Sequence, residues 1–327
     1  MFGPFREPPA LDTDPGQADL ELRAARDRAV QGDWTAAREL LTRTGRDWEL
    51  RGRRLAVLGF AAARSPLWLD LWESAVPGDP TAAILRADAL SEQAGDARGT
   101  ASARNTSQQQ FGEFHRLSEL AAEASRRAVA LNPDDPYPWA TRMNTMFADG
   151  RRQHGEFRQA LAEAVRRDRF NFEAHLTAVS FLCAKWYGSH EEMFAAARAP
   201  ATAAAPGSPV VMLPLLAHFE YALREFGFET RSESLPAKMA YFRRPEVCQE
   251  INDCAVKWCA AGTPRMAGRG VTLRHWLALA NFLADRDPAG TKVLLREIGP
   301  YLGSTPAYGY FWMRQREGLQ AVWRWAG

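Results

Sequence analysis

Apolar side chains recur along most of the chain at three- and four-residue spacing, and polar or turn-forming residues separate the apolar stretches. One set contains Leu120, Ala121, Ala124, Ala128 and Leu131. Another contains Phe172, Leu176, Val179, Phe181, Leu182 and Trp186. Alternating runs of Val, Ile and Thr, which are typical of strands, do not occur. The pattern therefore predicts an all-α protein built from stacked helices.

The ends of the predicted helix pairs recur at nearly constant spacing. Pro133 and Arg169 stand at equivalent junctions, and similar junctions lie at Pro77 and Pro206. The gap between Pro77 and Pro133 is longer because it includes the polar segment 96–110, which we interpret as an insertion. A single helix pair leaves an apolar face that only a neighbouring pair can bury. We therefore expect a curved, single-domain array of antiparallel helical hairpins.

The segment from Pro136 to Arg169 resembles the tetratricopeptide repeat, a helix–turn–helix unit of about 34 residues. Trp139 stands at the family's aromatic position, Gly150 at its turn glycine, and Phe157 at a large position of the second helix. The resemblance implies an α-solenoid of antiparallel hairpins that ends in a divergent helical cap.

Two further stretches, CAKWYGSHEEMF at 183–194 and LLAHFEYAL at 215–223, look like an uncharacterised actinobacterial family of helical-repeat-like proteins. That resemblance covers most of residues 20–225 and implies no known activity. With the spacing of the helices, it places a degenerate array over 16–234 and a flexible tail, rich in Pro, Gly and Asp, over 1–15.

Residues 235–327 fit the repeat less well but keep a helical pattern. The pattern predicts helices near 244–261, 271–285, 289–302 and 306–326. Trp312 and Trp323 share one face of the last predicted helix, which we expect to close the array. The alternative is that these side chains, with Trp325, form an exposed aromatic site for a partner.

In tetratricopeptide-like arrays the first helix of each hairpin lines the inner groove. The resemblance therefore implies a peptide groove lined by Tyr137, Thr141, Asn144, Glu173, Thr177 and Ser180. Asn144 matches an asparagine position that commonly clamps peptides in this family. Ala140 and Thr141 stand where a cation would bind a terminal carboxylate, so we expect an extended or helical peptide instead.

The sequence contains no phosphate-binding loop, no nucleophile elbow and no H-E-x-x-H motif, so we expect no cofactor and no metal. An alternative function is an enzyme or a small-ligand or metal-binding protein with a helical pocket near His115, Glu119, His175 and His190. His115 and Glu119 are four residues apart and share a helix face. His218 and Glu220 are two apart, so they cannot face one ligand together.

Amino-acid composition and charge argue against further classes of function. The 327 residues include 41 Lys+Arg and 39 Asp+Glu, a net charge of +2, which argues against nucleic-acid binding. We interpret basic runs such as Arg51-Gly52-Arg53-Arg54 as solvated helix faces. No apolar run is long enough to cross a membrane, and the first residues lack a secretory pattern, so we expect a cytoplasmic protein. The leading prediction is a non-enzymatic scaffold that binds a protein or peptide, with its partner and oligomeric state left open.

Overall fold

The structure is a computed structural model that describes residues 10–99, 106–227, 234–303 and 307–327. All regular elements in these ranges are helices, which confirms the all-α prediction. The β contact recorded among them is an isolated parallel bridge between Asp12 and Tyr301. No helix in the described ranges is both long enough and apolar enough to span a bilayer.

Backbone contacts divide the chain into two compact units, and the division falls inside a helix. We call residues Asp19–Ala178 the N-terminal unit. The C-terminal unit comprises Val179–Gly327 and the described part of Met1–Ala18. The predicted end of a helical array at residue 234 stays a prediction.

The described residues of the N-terminal unit form eight complete α-helices and most of a ninth. They are α1 Leu20–Val30, α2 Trp34–Thr44, α3 Trp48–Arg64, α4 Leu67–Ala75, α5 Pro80–Arg98, α6 Gln108–Leu131, α7 Tyr137–Thr145, α8 Gly150–Arg167 and α9 Phe172–Phe181. Helix α5 packs against both α3 and α6. The core between them is aliphatic with a tryptophan cluster, in which Trp72 stacks on Trp34 with ring centroids 5.6 Å apart.

Arginines of α3 are buried in this core, so the prediction of a solvated face at 51–54 is wrong. Arg51 Nε donates to Asp135 at 3.0 Å, and Arg54 Nε donates to Asp19 at 2.8 Å. All four of these side chains are at most 8% exposed. A buried arginine is tolerated because a carboxylate neutralises its charge and accepts its hydrogen bonds. The sequence pattern could not separate this arrangement from a hydrated one.

Seven more α-helices lie in the described part of the C-terminal unit. They are α10 His190–Ala203, α11 Leu213–Phe226, α12 Leu235–Phe242, α13 Pro245–Cys259, α14 Gly270–Ala284, α15 Pro288–Ile298 and α16 Gln315–Ala326. Helix α14 is buried along nearly its whole length. Helix α11 lies beside it, and the ring of Phe219 on α11 meets Trp276 of α14 edge-on at 6.4 Å. These two helices form the centre of the unit.

Both ends of the C-terminal unit differ from the sequence prediction. Residues 10–15 of the predicted tail are held in place, because Asp12 N donates to Pro300 O and Leu302 N donates to Asp12 O, each at 2.8 Å. Residues 1–9 lie outside the described residues. The last helix begins at Gln315 rather than 306, since Arg314 is extended.

The tryptophans near the C-terminus are not an exposed partner site. Trp312 precedes α16, and Trp312 and Trp323 are only 7% and 6% exposed. Trp325 is partly buried and donates its indole N–H to Asp285 at 3.0 Å. These side chains therefore belong to the packing of α14 and α16.

The predicted insertion at 96–110 is partly helical. Its first residues end α5 at Arg98, and its last residues begin α6 at Gln108. Ser107 caps α6, and its hydroxyl accepts from Gln110 N while Gln110 accepts from Ser107 N. Residues 100–105 lie outside the described part of the chain.

Candidate functional site

Two of the predicted groove residues lie in the interior of the N-terminal unit. Tyr137 is 5% exposed and Thr141 is 1% exposed. The Tyr137 hydroxyl points to Asp88, 3.4 Å from its nearer carboxylate oxygen. These two side chains contribute to the core and do not line an open groove.

The other groove candidates are also largely covered. Thr177 is buried and donates its hydroxyl to Asn144 Oδ1 at 3.1 Å. Glu173 is half-buried, and a Cβ added at Gly52 would lie 3.3 Å from its Cγ. Ser180 is half-buried near the end of α9. Of the six, only Asn144 is exposed, and it accepts the hydrogen bond from Thr177 that links α7 to α9.

The four residues predicted to form the alternative polar pocket lie in different environments. His115 and Glu119 are both exposed on α6. His175 is half-buried, with its Nε2 3.0 Å from Arg169 O, and burial lowers the pKa of His175. No group of three His, Cys, Asp or Glu side chains in the described ranges is placed to hold a metal ion.

The fourth member, His190, lies in the C-terminal unit at the start of α10. Ser189 caps this helix, because its hydroxyl accepts from Glu192 N at 3.1 Å. His190 Nε2 lies 2.8 Å from Glu225 Oε1, and its ring packs on Tyr221 with centroids 4.6 Å apart. His190 therefore packs behind Tyr221, one of the residues that line the cleft described next, and does not line that cleft itself.

Helices α10, α11, α12 and α13 of the C-terminal unit surround a cleft of about 270 Å³. Its lining combines three aromatic rings with charged and imidazole groups. The lining residues are Phe194, Arg198, His218, Tyr221, Tyr241, Glu246, Val247 and Glu250. Convergence of polar side chains from four helices on one partly apolar hollow is typical of a ligand site. We call this hollow the aromatic cleft.

A chain of hydrogen bonds runs along the wall of the aromatic cleft. The Tyr241 hydroxyl lies 2.6 Å from His218 Nδ1, and His218 Nε2 lies 2.9 Å from Glu250 Oε2. Arg198 donates to the same carboxylate through Nε and Nη2, both at 2.7 Å. Because an ionised carboxylate can only accept, His218 carries a proton on Nε2 and, when neutral, accepts from Tyr241 at Nδ1.

The surroundings fix the charge states in this chain. Burial alone would raise the pKa of Glu250, but hydrogen bonds from His218 and Arg198 outweigh it and bring the pKa to about 2. Burial raises the pKa of Tyr241, and the neighbouring Tyr221 and Glu250 add to this effect. The hydrogen bond to Glu250 raises the pKa of Arg198. The pair Arg198–Glu250 is therefore ionised, and Tyr241 keeps its proton.

Aromatic contacts hold the cleft walls in position. Tyr221 of α11 stacks on Tyr241 of α12 with ring centroids 4.8 Å apart. Phe194 of α10 meets the His218 ring edge-on at 5.0 Å. The Arg198 guanidinium lies over the Phe194 ring at 4.4 Å, so the same arginine is held by a ring and a carboxylate.

Helix α13 is joined to α10 at the far end of the cleft. Lys257 Nζ donates to Ala201 O and Thr202 O, both at 2.8 Å. These carbonyls belong to the last turn of α10, where backbone acceptors lack partners within the helix and attract a cation. This contact helps to hold α10 and α13, which carry Arg198 and Glu250, at a fixed spacing.

The buried polar cluster on the other side of α11 is separate. Glu220 is 4% exposed, accepts from Lys185 Nζ at 3.1 Å and accepts from the Tyr310 hydroxyl at 2.8 Å. His218 lies two residues before Glu220 on α11, so the two side chains point to different sides of the helix. His218 contacts Tyr241 and Glu250 instead. This cluster ties α11 to neighbouring segments of the same unit.

Sequence reasoning missed the cleft, and the nearest of its pocket candidates, His190, packs on Tyr221 without lining the cleft. The partners of His218 are 23 and 32 residues away, so no local motif contains them. A weaker signal was present, because Phe194 and Arg198 are four apart on α10, and Glu246 and Glu250 are four apart on α13. Each pair shares one helix face, and only the packing of the helices brings the faces together.

Comparison of this chain with protein-family models, with curated proteins and with solved structures gave no match. The assignment of function therefore depends on the geometry of the site.

Proposed function

We propose that the protein is a non-enzymatic scaffold that binds a protein or peptide segment, and that the aromatic cleft is its binding surface. The observation that carries the proposal is the convergence of Phe194, Tyr221 and Tyr241 with a fixed ion pair from four different helices. Aromatic side chains supply much of the energy of protein recognition because they bury a large area at little entropic cost.

The polar groups of the cleft suit a mixed peptide surface. Arg198 has a side chain 51% exposed and Glu250 one 21% exposed, so both can meet an incoming chain while remaining paired. Hydrogen bonds of this kind orient a peptide whose apolar side chains contact the rings. The proposal moves binding away from the predicted groove, whose residues Tyr137 and Thr141 are buried.

The tetratricopeptide-like arrangement is part of the same proposal. Helices α7 and α8 support it, because they pack against each other as a hairpin over the segment that carries the family's positions. The resemblance would make the N-terminal unit part of a degenerate repeat array. A cytoplasmic location also belongs to this proposal.

Selection of peptides on the purified full chain tests the binding function. A displayed random peptide library is panned on the wild type, and enriched peptides are then measured on Tyr221→Ala and Trp325→Ala. Loss of the Tyr221 ring should weaken binding about tenfold, as expected for an aromatic hot spot. Trp325→Ala removes a partly buried ring of the same unit outside the cleft and should leave binding unchanged.

The binding proposal fails if no peptide is enriched, or if the enriched peptides bind Tyr221→Ala as tightly as the wild type. Amide NMR spectra of both variants establish that each retains the fold, so a loss of binding reports on the cleft.

Acid–base chemistry on a small molecule is a second candidate function, favoured by the chain Tyr241–His218–Glu250. An imidazole held by a carboxylate is the arrangement of a general base. Both ring nitrogens already have protein partners, so a substrate would have to displace Tyr241. Turnover of an activated ester such as p-nitrophenyl acetate, lost in His218→Gln, would favour this function over simple binding.

A further inference from the structure

The charges lining the aromatic cleft do not cancel. Arg198 and Glu250 neutralise each other through two hydrogen bonds of 2.7 Å. Glu246 is exposed, and its carboxylate has no hydrogen bond or ion pair with a described side chain. With His218 neutral, the described lining therefore carries one uncommitted negative charge.

The start of a helix favours an acidic residue, but this alone does not account for a glutamate on the cleft-lining face of α13. Glu246 lies in the first turn of α13, where the helix dipole stabilises an acid. Glu317 also lies in the first turn of its helix, α16, is also exposed, and lies outside the cleft. The difference is that Glu246 lies one turn before Glu250 on the face of α13 that lines the cleft. Glu317 is thus a matched control for the effect of the helix start.

The rings of the cleft already bind cations from this chain. Arg198 lies 4.4 Å from the centroid of Phe194, and Arg244 lies 5.2 Å from the centroid of Tyr241. The electron-rich faces of aromatic rings attract guanidinium and ammonium groups. Arg244 is exposed and does not line the cleft, so its guanidinium can leave the ring without opening the core.

We infer that the aromatic cleft binds an arginine or lysine side chain of its partner peptide. Glu246 pairs with the cationic group, and the rings contact the aliphatic stem. This inference rests on the proposed function, since it names the chemistry of the peptide that the cleft takes. Arg244 competes with the ligand, because it covers one face of Tyr241 and adds a like charge nearby.

An acidic peptide fits the same cleft poorly. Among the described residues of the lining, Arg198 is the only arginine or lysine and is neutralised by Glu250, while Glu246 repels a second carboxylate. The direction in which each substitution changes the affinity therefore distinguishes a cationic ligand from an anionic one. Removal of Glu246 weakens a cationic ligand and strengthens an anionic one, and removal of Arg244 has the opposite effects.

Two small probes isolate the charge. N-acetyl-arginine methylamide and N-acetyl-citrulline methylamide have nearly the same shape, and only the first is charged. Each is titrated at millimolar concentration into the ¹⁵N-labelled full chain, and the amide shifts of Phe194, Tyr221 and Val247 report on the cleft. We expect the arginine probe to bind several-fold more tightly than the citrulline probe.

Three variants complete the test. Glu246→Gln should weaken the arginine probe about threefold, the size expected for one exposed charge pair. Arg244→Ala should tighten it, and Glu317→Gln should leave it unchanged. Equal binding of both probes, an unchanged affinity in Glu246→Gln, or weaker binding in Arg244→Ala would each overturn the inference.

The two proposals fail separately. If peptides selected on the full chain need Tyr221 but bind equally with arginine or citrulline, the scaffold function stands and the cation preference is wrong. If the arginine probe binds through Glu246 but no selected peptide depends on Tyr221, the cation site stands and the scaffold proposal is wrong.

Discussion

The contact between α3 and α5 gives the sharpest test of the N-terminal unit. At Gly59 the two helices approach so closely that an added Cβ would lie 2.8 Å from Asp88 Cγ and 2.9 Å from Asp88 Cβ. Carbon atoms in protein interiors pack at about 3.5 Å or more. In Gly59→Ala either the helices separate or the Asp88 side chain turns away.

Both responses are costly. Separation of packed helices is a form of overpacking, which costs about 1–3 kcal/mol. Rotation of Asp88 removes its contact with the Tyr137 hydroxyl and leaves a buried carboxylate short of a partner, at a cost of about 1–3 kcal/mol. Alanine recovers about 1 kcal/mol through its higher helix propensity. We therefore expect a net loss of about 1 kcal/mol in the free energy of unfolding.

The same substitution at Gly155 is the control. Gly155 lies inside α8, is exposed, and has no atom within 4 Å of an added Cβ, so Gly155→Ala should stabilise by up to about 1 kcal/mol. Urea unfolding midpoints measure both variants, and amide hydrogen exchange locates the effect in α3 and α5. Gly59→Ala together with Asp88→Ala should recover part of the loss. A Gly59→Ala protein as stable as Gly155→Ala would refute the close approach of the helices.

Three further predictions concern the C-terminal unit. Burial lowers the pKa of His275 to about 4 from an ordinary 6.5, so the unfolded chain takes up a proton at a higher pH than the folded one. The free energy of unfolding should therefore fall by up to about 3 kcal/mol as the pH drops from about 6.5 to about 4. In His275→Gln, urea unfolding should show a flatter profile over this pH range. Lys257→Met should lower the thermal midpoint by the equivalent of about 1 kcal/mol, because the last turn of α10 loses its donor. Arg198→Ala should raise the pKa of Glu250, followed by carboxyl NMR titration, since one of its two hydrogen-bond donors is gone.

Helices were predictable from sequence because their signals are local. The helix expected near 244–261 is Pro245–Cys259, and the one expected near 271–285 is Gly270–Ala284. Apolar periodicity and flanking prolines depend on neighbours in the chain, so no knowledge of the tertiary structure is needed. The predicted start of α16 was wrong, since the apolar residues before Gln315 pack in a short 3₁₀ helix, Ala307–Tyr310, that extended backbone at Arg314 separates from α16.

The sequence could not show that the predicted groove positions are covered, and the reason is different. A repeat motif places Tyr137 and Thr141 on the first helix of a hairpin, but it does not say what covers that helix. In this chain Gly52 of α3 allows close packing at this point, where its Cβ would meet Glu173 at 3.3 Å and Tyr137 at 3.5 Å. A partner from a distant helix therefore occupies the expected groove positions. That information is absent from the motif.

Burial separates ion pairs of the same chemistry into different roles. Arg51–Asp135 and Arg54–Asp19 pair on side chains at most 8% exposed, so a ligand cannot reach them and their effect is to fix α3 in its core. Arg198–Glu250 has the same hydrogen bonds with side chains 51% and 21% exposed, and it stands beside aromatic rings and the uncommitted Glu246. Sequence describes all three pairs alike, as an arginine and a distant acid. Only the solvent-facing pair can exchange a contact with this chain for one with a partner, which is why the aromatic cleft, rather than the arginine-rich segment of α3, is the place to look for binding.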